Sequence, residues 1–349
     1  MNSSSGTVPV FIKNKQVQII IGIVLAALLI VVPNFMQAYY VDILVSACLC
    51  AYIAQCWNLM CGYAGQFSFG HVAFFGVGAY TSSLLYVDFG LSPIFGIFAG
   101  AAVAGLVGLF IGFLSFKYKL QGDYFALITL AFAEMFRVIV TNVGIFKKAV
   151  GVSIDYRPDW RVFQPDSKVS YFYIILGMTV VLTVFLSRLS KTKMGLYFVS
   201  IREDENAASA LGVDAFRYKL IATTLSAALT ALGGTFYAQY YLFIDPSIAF
   251  NSNISINAIV PCILGGVGTI FGPIIGALII TPISQLTNLL AGSRPGFNMM
   301  IYGSLLVVFI IAMPNGIVGS FRKRKTKKGM PQCTTTSVDS ADVEEGNER

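Results

Sequence analysis

Long runs without charge constrain this chain more than any other feature. Val17–Val32, Ile94–Phe116 and Ile174–Leu186 contain no Asp, Glu, Lys or Arg. A helix needs about 20 apolar residues to cross a bilayer core. Ten candidate crossings fall at about 17–40, 42–60, 68–87, 93–116, 122–143, 170–189, 217–243, 254–270, 273–291 and 297–313. Composition agrees: 56% of residues are hydrophobic and 12% charged, against about 25% charged in soluble domains. Lipid leaves no water to satisfy open backbone, so the expected fold class is all-α, a polytopic integral membrane protein.

The first apolar run follows Lys13 and Lys15 but is succeeded by Pro33-Asn34-Phe35 rather than by a small-residue cleavage site. It reads as a retained span. The expected organisation is a segment 1–16, a transmembrane domain 17–313 and a tail 314–349 that is basic, then acidic and disordered. The basic clusters Lys13/Lys15, Lys117/Lys119, Arg188–Lys219 and Arg322–Lys328 all fall on one side of ten crossings. That side is expected to be the cytoplasm, with both termini inside. The loop 144–169 runs against this rule with Lys147, Lys148, Arg157, Arg161 and Lys168.

A net charge of +7 suggests nucleic acid, but a basic run directly after the last apolar stretch is more simply a topology anchor touching anionic lipid. No nucleic-acid partner is expected. Six cysteines, at 48, 50, 56, 61, 262 and 333, and one histidine, His71, lack metal-ligand spacing. Buried thiols acting as small hydrophobes are the expected state.

Two stretches are rich in glycine, "CGYAGQFSFGHVAFFGVGAY" at 61–80 and "GGVGTIFGPIIG" at 265–276. Dense glycine permits close helix packing, and it also marks broken segments that line a pathway. Gln66 and Ser68 either hydrogen-bond a passing solute or tie neighbouring helices. His71 is read as a packed histidine before a proton relay. Asp123, Glu134 and Arg137 are the main charges expected within a span; buried ionisable groups there are functional candidates. Glu134 and Arg137, three residues apart, are placed to pair, as a structural pair or in a pathway.

One charged stretch interrupts the apolar pattern: "GLYFVSIREDENAASALGVDAF", 195–216. Ser200 and Glu203 fit a capping box, and Gly212 fits a left-handed stop. The expected helix is about 201–211, too short to cross. Tyr197, Ile201, Ala208, Leu211 and Ala215 keep roughly helical spacing, while Arg202, Glu203, Glu205, Asn206 and Ser209 form the other side; Asp204 adds to the acidic first turn. A helix lying on lipid favours Lys and Arg on its polar face. This one presents acids and small residues, so docking to a partner is the preferred reading.

With "GYAGQFSFGHVAFFGVGAYT" (62–81), "GDYFALITLAFAEMFRV" (122–138), "GLYFVSIREDENAASALGVDAFRYKL" (195–220), "ALGGTFYAQYYLFIDPS" (231–247) and "LGGVGTIFGPIIGA" (264–277) in order, the chain resembles the permease subunits of branched-chain amino acid ABC importers, in their LivM-like branch. The resemblance implies a bacterial cytoplasmic (inner) membrane protein. It further implies that 201–211 is a coupling helix seated in a cleft of a cytoplasmic ATPase. It implies a second related permease, two ATPase subunits carrying ATP and Mg, and a secreted solute-binding protein. No G-x-x-x-x-G-K-[ST] loop occurs in the chain, so no ATP site and no cofactor of its own are expected. The leading expectation is an importer subunit for branched-chain or other apolar amino acids. Alternatives are a permease for urea or short amides, or an ion-coupled secondary transporter built on Asp123, Glu134 and Arg137. A membrane enzyme has few candidate groups here.

Overall fold

A computed structural model describes residues 32–157 and 163–291, with isolated positions (300, 303, 304, 307, 316 and 317) beyond. The expected segment 1–16, most of the expected first span, and nearly all of the last span and of the tail lie outside these residues.

The helices start and stop where local chemistry directs. A 3₁₀ turn at Val32–Phe35 precedes helix α1, Ala38–Asn58, which continues through a π turn at Leu59–Tyr63. This span therefore starts before residue 42, and residues 38–40 belong to it rather than to the preceding crossing. Helix α2, His71–Phe89, begins after the expected residue 68 because residues 64–70 are not helical. Ser92 caps helix α3, Pro93–Lys117, by accepting from the Ile94 amide at 3.3 Å, with Pro93 in the first turn where its missing N–H is harmless. Helix α4 is Asp123–Asn142, and Ser167 caps helix α5, Lys168–Leu189. Two short helices follow, α6 at Lys193–Glu203 and α7 at Glu205–Ala210, then the long α8 at Ala215–Tyr241. Helices α9, Pro246–Ala249, and α10, Ser252–Gly265, replace the expected crossing at 254–270. Helix α11 is Gly272–Ala291.

Among the described residues, seven helical segments are long and apolar enough to span a bilayer, and Gly272–Thr287 is a shorter apolar helix. Phe98, Leu106 and Phe110 on α3 and Val180, Val181 and Val184 on α5 are exposed. Such stripes suit a lipid face and would be a liability in water.

Packing divides the bundle into two groups. Helices α2, α3 and α8 approach one another through small residues. A Cβ added at Gly78 would lie 2.5 Å from Ala231 Cα, one at Gly108 would lie 2.5 Å from Ala227 Cβ, and one at Gly234 would overlap the Phe75 carbonyl oxygen. Backbones this close leave room for no side chain. In the second group α1 packs against α5, α10 and α11 around Trp57, Tyr52, Phe172 and Cys262. Helix α8 joins the groups; Tyr52 of α1 donates to the Leu229 carbonyl at 2.9 Å. Several hydroxyls inside the spans return to their own helix, as Thr230 does to Ser226 O at 2.8 Å and Thr179 to Ile175 O at 2.8 Å, which satisfies them without water.

One end of the bundle carries α6 and α7. The other carries the 144–167 loop, whose strand β1, Val152–Ser153, pairs antiparallel with β2, Phe243–Ile244. The basic residues that opposed the expected sidedness are partly neutralised there. Lys147 pairs with Asp88 and Lys168 with Asp42, each at 2.7 Å.

Candidate functional site

The charged segment is two helices, not one. Thr192 is the N-cap of α6 and accepts from the Gly195 amide at 3.3 Å. Phe198 and Ile201 are buried and hold this helix against the bundle. Ser200 lies inside α6, its hydroxyl donating to Tyr197 O, so the expected capping box with Glu203 does not form. The chain breaks at Asp204, which is extended (φ −157°, ψ 110°), and its carboxylate accepts from the amides of Asn206 and Ala207 at 2.9 and 3.0 Å. Asp204 thus caps α7. Gly212 has φ +86° and supplies the expected left-handed stop.

Of the expected inner face, Ile201 and Ala208 are buried and pack with Ala215. Leu211 is 86% exposed and does not join them. The Glu205 carboxylate, expected on the free side, is gripped from two directions. It pairs with the buried Lys219 of α8 and accepts from Gln121 Nε2 at 2.9 Å. The loop between α3 and α4 is thereby tied to α7. The surface left open carries Asn206, Ala207, Ser209, Ala210 and Leu211.

Arg202 points inward. Its Nη1 donates to the Gly62 carbonyl at 2.6 Å, and its Nε donates to Glu203 at 3.1 Å. The two glycine-rich stretches, far apart in sequence, meet at this place. Asn58, buried at the end of α1, accepts from the Gly268 amide at 2.8 Å and donates to Thr269 O at 2.9 Å. Both stretches are true helix interruptions: residues 64–70 after α1, and 266–271 between α10 and α11.

Deeper in the bundle, His71 is fully buried. Ser226 donates its hydroxyl to Cys56 O at 2.7 Å, so in the 2.9 Å contact His71 Nε2 is the donor to Ser226 Oγ. Among the described residues Nδ1 has no partner. The packed reading accounts for one nitrogen of the ring. Gln66 donates to Ala64 O at 3.1 Å, Ser68 accepts from the Gly70 amide at 3.0 Å, and Trp57 donates to Ser68 O at 2.8 Å. These polar groups brace the extended segment's own backbone.

Asp123 is exposed in the first turn of α4, at its end rather than within the span. Glu134 and Arg137 do pair, at 2.7 Å, with side chains 44% and 43% exposed. They share the outward side of α4 with Leu127, while Phe125, Ala126, Thr129 and Ala133 face the bundle. The structure does not bring Asp123 together with that pair.

The sequence reading did not anticipate a cavity of about 450 Å³ at the end opposite α6 and α7, lined by Asp42, Lys168, Tyr171, Tyr240 and Tyr241 among others. Tyr240 bonds the Asp42 carboxylate. A smaller cavity of about 140 Å³ shares Ser46 and Tyr241 with it and is lined deeper in by Leu49, Ile53, Phe75 and Ile254. Its lining comes from segments far apart in sequence, Asp42 on α1, Lys168 and Tyr171 on α5 and Tyr240 on α8.

Apolar helices sealed by small residues and two glycine-rich interruptions, the second held by an asparagine at the end of α1, define a multi-pass integral membrane protein. The particular family follows from comparison. Residues 39–310 match the family described as branched-chain amino acid transport system / permease component, and the chain belongs to it. It is 31% identical over 303 residues to the high-affinity branched-chain amino acid transport system permease protein LivM of Escherichia coli K12, covering 78% of this chain and 68% of that one. It is 24% identical over 284 residues to LivH of the same strain, covering 77% and 91%. A shorter stretch of 123 residues is 31% identical to the xylose transport system permease protein XylH of Haemophilus influenzae, covering 34% and 32%. No solved structure matches. As a permease component the chain is a transport subunit of a multi-component system and not itself an enzyme.

Proposed function

We propose that this chain forms the membrane path of an ATP-driven importer for branched-chain or other apolar amino acids, in the bacterial inner membrane. It would work beside a second related permease, with two ATPase subunits that bind ATP and Mg, and a secreted protein that delivers the solute. The α6–α7 segment is the coupling element, and its end of the bundle is cytoplasmic. Ten crossings then place both termini inside, with the basic tail against lipid headgroups.

The observation that carries this reading is the open surface of α7. Glu205 and Ala208 fasten the segment to the bundle, while Ser209, Ala210 and Leu211 are left facing outward. A small, fixed surface with one apolar projection suits a protein cleft. A solute leaving the delivery protein would enter beside Asp42 and Lys168, whose charges match the two ends of a zwitterion. The apolar lining beyond them suits an aliphatic side chain.

Reconstitution tests the reading. In proteoliposomes holding the two permeases and the ATPase subunits, leucine uptake should require ATP and the delivery protein together. Leu211→Asp should lower co-purification of the ATPase at least fivefold while leaving the bundle's thermal stability unchanged. Leucine movement by this chain alone, driven by a sodium or proton gradient, would refute the importer in favour of a secondary transporter.

A further inference from the structure

Arg202 reaches out of the α6–α7 segment to the end of α1. At the end of α1 the Gly62 carbonyl has lost its helical partner, because the chain turns out of the helix after Tyr63. The last carbonyls of a helix carry the negative end of its dipole, and a cation is stabilised there. Arg202 Nη1 meets that carbonyl at 2.6 Å, and the side chain remains 33% exposed.

Both interruptions press on the same side chain. Gly65, at φ +72°, lies so near that an added Cβ would be 3.0 Å from Arg202 Cγ. At Gly268, φ +76°, an added Cβ would be 2.5 Å from Arg202 Nη1. Asn58, at the end of α1, bonds Gly268 and Thr269 of the second interruption, and the Gly62 carbonyl one turn further on accepts from Arg202, so these residues form one junction. Arg202 connects that junction to α6. Glu203 holds the guanidinium from the other side, through Nε and Nη2. A planar fork with several fixed donors can span such a gap, whereas an ammonium offers one compact point of contact.

We propose that Arg202 is a positioning residue, a strap that transmits displacement of the α6–α7 segment to the paired helix interruptions, so that its loss separates ATP hydrolysis from solute movement. This rests on the importer reading. In that setting, nucleotide-driven motion of the partner ATPase shifts α6, and the strap carries the shift to residues 62–65 and 268. Helix α6 also packs on the Leu59–Tyr63 turn through apolar contact; the segment's other polar fastenings, Glu205 to Lys219 and Gln121, lead instead to α8 and to the α3–α4 loop. They anchor the segment without reaching the interruptions.

The test uses the full complex in proteoliposomes, scoring leucine imported per ATP hydrolysed. Arg202→Met keeps the stem and removes the donors. It should assemble normally, hydrolyse ATP within twofold of wild type and import roughly tenfold less leucine. Arg202→Lys should fall between the two, and Glu203→Gln, which spares the bond to Gly62, should keep the wild-type ratio. A second measurement needs no transport. Hydrogen exchange at the amides of residues 62–70 and 266–271 in the purified chain, resolved by mass spectrometry, should quicken at least threefold in Arg202→Met. An unchanged import ratio in Arg202→Met overturns the strap. So does parallel loss of assembly, hydrolysis and uptake, which would make Arg202 a purely structural residue. If the wild-type complex hydrolyses ATP yet imports nothing, the importer reading is at fault, and unchanged exchange at residues 62–70 and 266–271 would then reject the strap independently.

Discussion

The α2–α3–α8 trio and the junction at Asn58 both depend on glycine, but in opposite ways. In the trio, Gly78, Gly108 and Gly234 stay helical and remove side chains so that backbones can touch. At the junction, Gly65 and Gly268 adopt positive φ and take the chain out of the helix. The first use makes a rigid block whose contacts are backbone against backbone. The second makes a gap that must be filled by side chains from elsewhere, Asn58 and Arg202. Glycine content alone cannot tell the two apart; the partner atoms do.

The comparison breaks most visibly at Gly234. A Cβ there overlaps the Phe75 carbonyl, which is backbone and cannot swing aside. Gly234→Val should lower stability by about 3 kcal/mol or more, at or beyond the upper end for overpacked sites. Thermal unfolding in detergent would show it, and a variant within 1 kcal/mol of wild type would mean the trio is loosely packed. A middle effect belongs to the junction. Asn58→Ala strands a backbone donor at Gly268 and an acceptor at Thr269, for a loss of about 1–3 kcal/mol. Here leucine uptake should fall further than stability does, because the fold survives while the interruptions part. A third glycine sharpens the contrast. Gly177, midway along α5, has open space around it among the described residues. Gly177→Ala should be neutral or stabilise by up to about 1 kcal/mol, through helix propensity alone.

Much of the bundle was legible because lipid imposes a simple rule: uncharged runs near 20 residues become helices. Helices α3, α4, α5 and α11 lie within a few residues of their expected places. The errors came where two local signals overlapped. Ser200 and Glu203 carry a capping signature, but Phe198 and Ile201 bury a helix already begun at Thr192, and packing overrides the signature. The true second cap, Asp204, stood four residues beyond Ser200. Asp123 reads as an intramembrane charge from sequence because an apolar run follows it with Gly122 as the local turn signal. The pairing of Glu134 with Arg137 was visible from spacing, since three residues bring side chains to one helix face. The cavity at Asp42 and the meeting of Gly62 with Gly268 were not. Such arrangements depend on which helices become neighbours, and a single sequence carries no local trace of that.

Synthesis gives the Asn58 bridge a further meaning. Its Gly268 partner is made 210 residues later, which at about 5–20 residues per second is a wait of roughly 10–40 s. Throughout that interval a side-chain amide sits at the end of an inserted apolar helix with its final acceptor and donor still unmade. Water, lipid headgroups or the insertion machinery must satisfy it in the meantime. The bridge therefore closes only after the last glycine-rich stretch has arrived, so it is among the later bonds to form as well as a feature of the finished molecule.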